Sequence, residues 1–298
     1  MKQALTTWGG WPNCIHISNG EIELIATTAV GPRIMRFGFV GGQNFLKEYA
    51  EQLGKTGGDE WRIYGGHRLW HAPEAIPRTY WPDNAPLAHE WEGDTLKLSQ
   101  PVEPTTGIQK ELEITMDAAG SHVTVLHRLI NRNLWEIETA AWAMSVVAPG
   151  GRAIFPQEEY RPHPEYLLPA RPIVLWHYTN MSDPRWTWGE KFIQLRQDPS
   201  AKTKQKVGFY NSKGWAAYEL AHELWFKRYD VTPDGKYPDY GCNTETFTDA
   251  NMLEIETLSP LTRLAPGACL EHTEEWFLYK LSLGVDEAGM EKALASLG

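Results

Sequence analysis

The stretch MLEIETL, residues 252–258, alternates along its length. Leu253, Ile255 and Thr257 fall on one side of a period-2 pattern, and Met252, Glu254, Glu256 and Leu258 on the other. A strand in this register sets two carboxylates on one sheet face, ~7 Å apart along the backbone. Similar short alternations recur along the chain. Residues 14–28 alternate around Asn19-Gly20, which predicts a hairpin. Residues 33–40 read as a further strand. Residues 95–98, 107–116, 122–130 and 136–147 follow as strands separated by turn formers. Residues 173–177 read as a strand closing a long, Pro-rich functional loop over 156–190. Residues 215–225 are rich in helix formers, but the all-strand context predicts two strands turning near 221–223. Residues 47–60 read as a surface loop or short helix, and the lysine-bearing 203–213 as a solvated turn. Asp286 caps a short amphipathic helix to residue 297, with Met290, Ala293, Leu294 and Leu297 on one side. The pattern predicts an all-β fold, a large antiparallel sandwich with a short C-terminal helix, in one domain spanning residues 1–298.

Charge narrows the partners. The chain has 28 basic and 38 acidic residues, a net charge of −10, which argues against nucleic acid or an anionic membrane. It contains no apolar run of ~18 residues, so no spanning helix is expected. No secretory leader is evident, and Cys14, Cys242 and Cys269 form neither a disulfide framework nor a zinc signature. A cytoplasmic location is the expectation; the pattern leaves the oligomeric state open. The 14 Trp and 12 Tyr supply flat faces that stack on sugar C–H surfaces, although most of them serve a sandwich core. Trp70 and Trp81 stand in turn-rich segments and are candidates for ligand contact.

Two stretches concentrate the chemistry. Residues 237–278 gather Asp239, Asn243, Glu245, Glu254 and Glu256 among turn formers and aromatics. Residues 61–87 hold His67, Arg68, Trp70, His71 and Glu74. His67, His71 and Glu74 have a metal-site spacing for a helix, but Gly65-Gly66, Pro73 and Pro77 oppose a helix there. No metal and no cofactor is expected. As extended chain, His67, Leu69 and His71 share one face, and Arg68 and Trp70 the other. An irregular loop of this composition suits recognition of sugar hydroxyls. For each histidine alone a structural role weighs equally.

These segments resemble the galactose mutarotase-like (aldose 1-epimerase-like) superfamily. GPRIMRFGFVGGQNFL is similar to its opening strand pair, and YGGHRLW to a Gly-rich segment ending in a substrate-binding arginine, here Arg68. LEIETLSPLTRLAPG followed by HTEEWFL looks like its late strand bearing the catalytic glutamate, here Glu256. GGHRLWHAPE, FKRYD and YPDYGCNTE place the closest likeness in an uncharacterised branch. The resemblance implies a β-supersandwich with a carbohydrate ligand. AAWAMSVVAPGG carries Trp142 and Met144 where those proteins carry a histidine. Three readings follow. An epimerase-type enzyme would use Glu256 as base and His67 or His71 as acid. A glycoside hydrolase or lyase would draw a carboxylate pair from Glu254, Glu256, Glu245 and Glu158. A non-catalytic sugar binder would use the same face for recognition alone. The expected site is Glu256, His67 and Glu254 for chemistry, with Arg68, Trp70, His71, Lys227, Asp239, Asn243 and Glu245 for binding.

Overall fold

The computed structural model describes residues 2–297. Among them, two large antiparallel sheets pack face to face. The first, of eleven strands, runs in the order Lys2–Trp8, Trp11–Ser18, Ile22–Thr27, Arg33–Phe39, His67–Ala72, Ile137–Val147, Leu253–Leu258, Thr244–Thr248, Gln205–Phe209 and Ile173–Leu175, with Thr262–Leu264 also paired to Ile137–Val147. The second, of ten, runs Trp186–Trp188, Phe192–Arg196, Arg152–Pro156, Trp215–Leu220, Glu223–Tyr229, Cys269–Tyr279, Val123–Asn131, Ile108–Met116, Thr95–Ser99 and Ala88–Glu92. The fold is thus the predicted all-β antiparallel supersandwich. No helix is long and apolar enough to cross a membrane.

The core lies between the sheets. Alternate residues of both, such as Leu69, Ile255 and Phe37 facing Leu112, Val125 and Trp276, form one buried cluster. Trp225 and Trp276 meet edge to face, with ring centroids 4.8 Å apart, and Phe37 packs on both. The Glu287–Ala295 helix seats Met290 on the outer side of the second sheet against Phe226 and Leu283.

Local chemistry accounts for the joints. Asn19 Oδ1 accepts from the Glu21 and Ile22 amides, each at 3.0 Å, closing the predicted first hairpin. Ala221 and His222 take positive φ, 45° and 67°, between Trp215–Leu220 and Glu223–Tyr229, so two strands form despite helix-favouring composition. Asp286 caps the helix by accepting from the Gly289 amide at 2.8 Å.

Three expectations are corrected. Residues 47–60 contain turns and no helix. Residues 203–213 are not a solvated turn, because Gln205–Phe209 is a buried strand paired on both sides. The expected irregular loop around His67 is the strand His67–Ala72, buried throughout.

That strand is launched by a left-handed run at Tyr64, Gly65 and Gly66, with φ of 54°, 94° and 74°. A Cβ at Gly65 would stand 2.0 Å from the Lys47 carbonyl oxygen, and one at Gly66 2.4 Å from that of Ile34. Backbone crowds both positions, so neither tolerates a side chain. Gly66→Ala is expected to cost more than about 3 kcal/mol in urea unfolding, through φ strain and displacement of the Ile34 carbonyl. A loss below about 1 kcal/mol would show that the turn can relax.

Candidate functional site

Strand register assembles a charged and aromatic field on the outer face of the first sheet, away from the core. Arg68 pairs with Met144, Met144 with Glu256, and Glu256 with Glu245, making one row across four strands. Beside it run Trp70, Trp142 and Leu258. On the other side run Val146, Glu254, Phe247 and Lys206. Period-2 geometry sends every one of these side chains outward. Gly208, opposite Glu245, leaves room for it, since a Cβ there would come 3.2 Å from Glu245 Cγ.

Lys206 is the centre of the field. Its Nζ stands 2.8 Å from Glu245 Oε2 and 3.1 Å from Glu256 Oε2. Glu256 Oε2 also accepts from the Trp142 indole at 2.8 Å. The same ammonium lies over the rings of Trp142 (4.8 Å) and Trp176 (4.7 Å). Arg68 pairs with Glu254 at 3.4 Å and lies over Trp70 at 4.7 Å and Trp61 at 5.7 Å. Trp61, Trp70 and Tyr80 pack edge to face as one wall. Several polar atoms in this field have no hydrogen-bond partner. They are Glu256 Oε1, both Glu245 oxygens (Oε2 meets Lys206 as an ion pair without a directed hydrogen bond) and Arg68 Nε.

Two buried cations face three buried carboxyls, so the cluster is neutral when one carboxyl keeps its proton. Burial drives Glu245 well above the ordinary carboxylate range; Lys206 opposes this, while Glu256 and Asp239 add to it. Burial also raises Glu254, to about 7, with Arg68 pulling down and Glu256 pushing up. For Lys206, burial disfavours the charge, but Glu245 and Glu256 outweigh it and hold the amine well above its usual range.

The expected site thus divides. Arg68, Trp70, Glu245, Glu254 and Glu256 share the outer face. His67, His71 and Lys227 do not join them, which corrects the expectation of one lining. On the His67–Ala72 strand, odd positions point to the core, and Lys227 reaches the same interior from the second sheet. Asn243 is also structural. It is buried, donating to the Asn211 carbonyl at 3.0 Å and accepting from the Asn211 amide at 2.6 Å. Asp239 is half-buried in a turn and acts on Glu245 only through its charge. Glu158 lies elsewhere, accepting from Ser212, and Trp81 lines a separate 620 Å³ pocket with Asp83 and Gln100. The sequence pattern missed Lys206, Trp142, Trp61, Tyr80 and Trp176. For Lys206 the only signal was the short alternation of QKVGF.

Inside the sandwich, proton roles are fixed by partners. His127 Nδ1 donates to the His272 carbonyl at 2.8 Å, leaving its Nε2 to accept from His67 Nε2 at 2.6 Å. His67 Nδ1 then accepts from the Ser145 hydroxyl at 2.7 Å, whose oxygen accepts from Lys227 at 2.9 Å. Lys227 and Thr257 both donate to Glu274 Oε1, at 2.8 and 2.6 Å, and Trp276 donates to Oε2 at 2.7 Å. Burial keeps His67 and His127 neutral and pushes His272 down to about 3. Burial resists the charge on Glu274, yet Lys227 holds it well below the carboxylate range. His67, His127 and Glu274 offer atoms within 4.8 Å of one another, a metal-like grouping. The completed hydrogen-bond chain and the Lys227 ammonium oppose a cation there. His71 belongs to another interior cluster, 3.3 Å from Glu103, which also pairs with Lys110 at 2.5 Å.

No protein-family model matches the chain, and no curated protein matches it. Solved structures do. A TPR-domain containing protein from Parabacteroides distasonis superposes with a TM-score of 0.60 at 13% identity, covering 91% of this chain; this chain spans only 48% of that one. A galactose mutarotase-like protein from Lactobacillus casei gives 0.58 at 8% identity, covering 89% of this chain and 100% of that one. A galactose mutarotase related enzyme from Lactobacillus acidophilus gives 0.55 at 8%, with coverages of 89% and 97%. At these identities the likeness is one of fold, and the chain has the galactose mutarotase-like fold.

The charge cluster carries a pH signature. A carboxyl raised on folding adds stability below its unfolded value and loses it as pH climbs through its folded value, here from 4.5 to about 7 for Glu254. Relative to Glu254→Gln, the wild type is expected to lose about 3 kcal/mol of unfolding free energy between about pH 4 and about pH 8. A pH-independent difference would show that Glu254 is not raised.

Proposed function

We propose that the outer face of the first sheet binds a carbohydrate and interconverts it by proton transfer between glutamates. The observation that carries this reading is Glu256. One of its oxygens is fixed by Trp142 and Lys206, and the other, Oε1, has no partner. A carboxylate held on one side and free on the other is a positioned base. Glu254 lies two residues away on the same face, raised to about 7, and so can hold or yield a proton at neutral pH. Trp70, Trp142 and Trp61 supply ring faces for a sugar. The galactose mutarotase-like fold supports a carbohydrate as the ligand.

The chemistry is an anomer interconversion. Glu256 takes the proton of the anomeric hydroxyl as Glu254 delivers one to the ring oxygen. The bond between the anomeric carbon and the ring oxygen breaks, leaving an open-chain aldehyde. Rotation and reversal of both transfers close the other anomer. This acid replaces His67 and His71, which lie on the far face of the sheet.

Glu256→Gln keeps shape and hydrogen bonding but removes the base. In a panel of aldoses followed by NMR exchange between anomers, the variant is expected to lose at least about 100-fold in rate with binding within a few-fold. Equal rates in both proteins would remove Glu256 from the mechanism. Binding without exchange in the wild type would make the protein a sugar binder, and the substitution would then cost ~1–3 kcal/mol of affinity. Release of new reducing ends from a glycoside would indicate the hydrolase reading instead.

A further inference from the structure

Glu245 and Glu256 are fully buried although they carry partnerless acceptor oxygens. What closes over them is one short turn. Trp176 directly follows Ile173–Leu175, the three-residue outermost strand of the first sheet. Its indole lies 4.7 Å from Lys206 Nζ. Tyr178, two residues on, faces the same field, with its ring 6.4 Å from that of Phe247. The turn is tied to the sheet by few bonds. The Thr179 hydroxyl donates to the Lys206 carbonyl. The Asn180 amide donates to Gln205 Oε1 at 2.9 Å. The Thr179 amide donates to the Trp176 carbonyl at 2.9 Å.

Little else holds this segment down. Ile173, Leu175 and Tyr178 are 42%, 45% and 45% exposed, and the strand has a neighbour on one side only. A short edge strand with half-exposed apolar side chains opens at far lower cost than a central one such as Leu253–Leu258. The indole of Trp176 also satisfies the same ammonium that a sugar ring would approach. Displacing one flat face by another loses little.

We propose that residues 173–180 are a lid over the glutamate cluster, and that Trp176 is the group an incoming ligand displaces from Lys206. The proposal rests on reading that cluster as the ligand site, but its test uses no ligand. Carboxyl footprinting with a water-soluble carbodiimide and glycine ethyl ester, read by mass spectrometry, reports access to Glu245 and Glu256. Trp176→Ala is expected to raise their labelling by at least about tenfold, and Trp176→Phe, which keeps a ring, to leave it near wild type. Hydrogen exchange of unmodified protein is expected to be at least about a hundredfold faster in 173–180 than in 253–258. Unchanged labelling in Trp176→Ala, or equal protection of the two segments, overturns the lid. If the lid opens in a protein that turns over no sugar, this inference stands and the preceding one falls.

Discussion

A charge between two packed sheets is stable only with a partner and with its remaining polar atoms bonded, and the Lys227–Glu274 pair meets both conditions. The two residues come from neighbouring strands of the second sheet, yet they are completed by Ser145 and Thr257 from the first. The pair therefore joins the sheets by directed bonds where the surrounding core joins them by area. It also sets the histidines: once Lys227 donates to Ser145, the direction of every proton from Ser145 to His127 follows. A buried network of this kind favours one arrangement of the sheets over slipped alternatives that would leave charges unpaired.

The outer cluster is built from the opposite side of the same strands and works by a different balance. Here the partners do not complete one another. Three carboxyls share two cations, and aromatic rings rather than hydrogen bonds cover much of the cationic surface. The inner network spends its polar atoms on each other, whereas the outer one keeps acceptors in reserve. That contrast separates a structural cluster from a candidate site more cleanly than residue type does, since both contain glutamate and lysine.

Much of the fold was legible because strands announce themselves by alternation and turns by Asn-Gly or capping residues. Part of the site was legible for the same reason. Glu254 and Glu256, and separately Arg68 and Trp70, share a face through parity within one strand. Parity also separates His67 and His71 from Arg68, and so from Glu256, once the sheet is assembled. Grouping them by chemical type as one site overrode that signal. Lys206 was hidden by its neighbours, because Lys202, Lys204 and Lys213 read as a solvated run while its partners lie some forty to fifty residues away. Pairings across distant strands have no local trace in the sequence.

The back-to-back arrangement has a consequence for how this protein can change over evolutionary time. Glu256 and Thr257 are neighbours in the chain but belong to different clusters on opposite faces. Inserting or deleting a single residue within Leu253–Leu258 would exchange the two faces, delivering a carboxylate to the oily interior and a threonine to the ligand face. Point substitutions can retune either cluster independently, but length changes in this strand damage both at once. Divergence among relatives of this chain should therefore appear as substitutions within the central strands and as insertions confined to the connections between them.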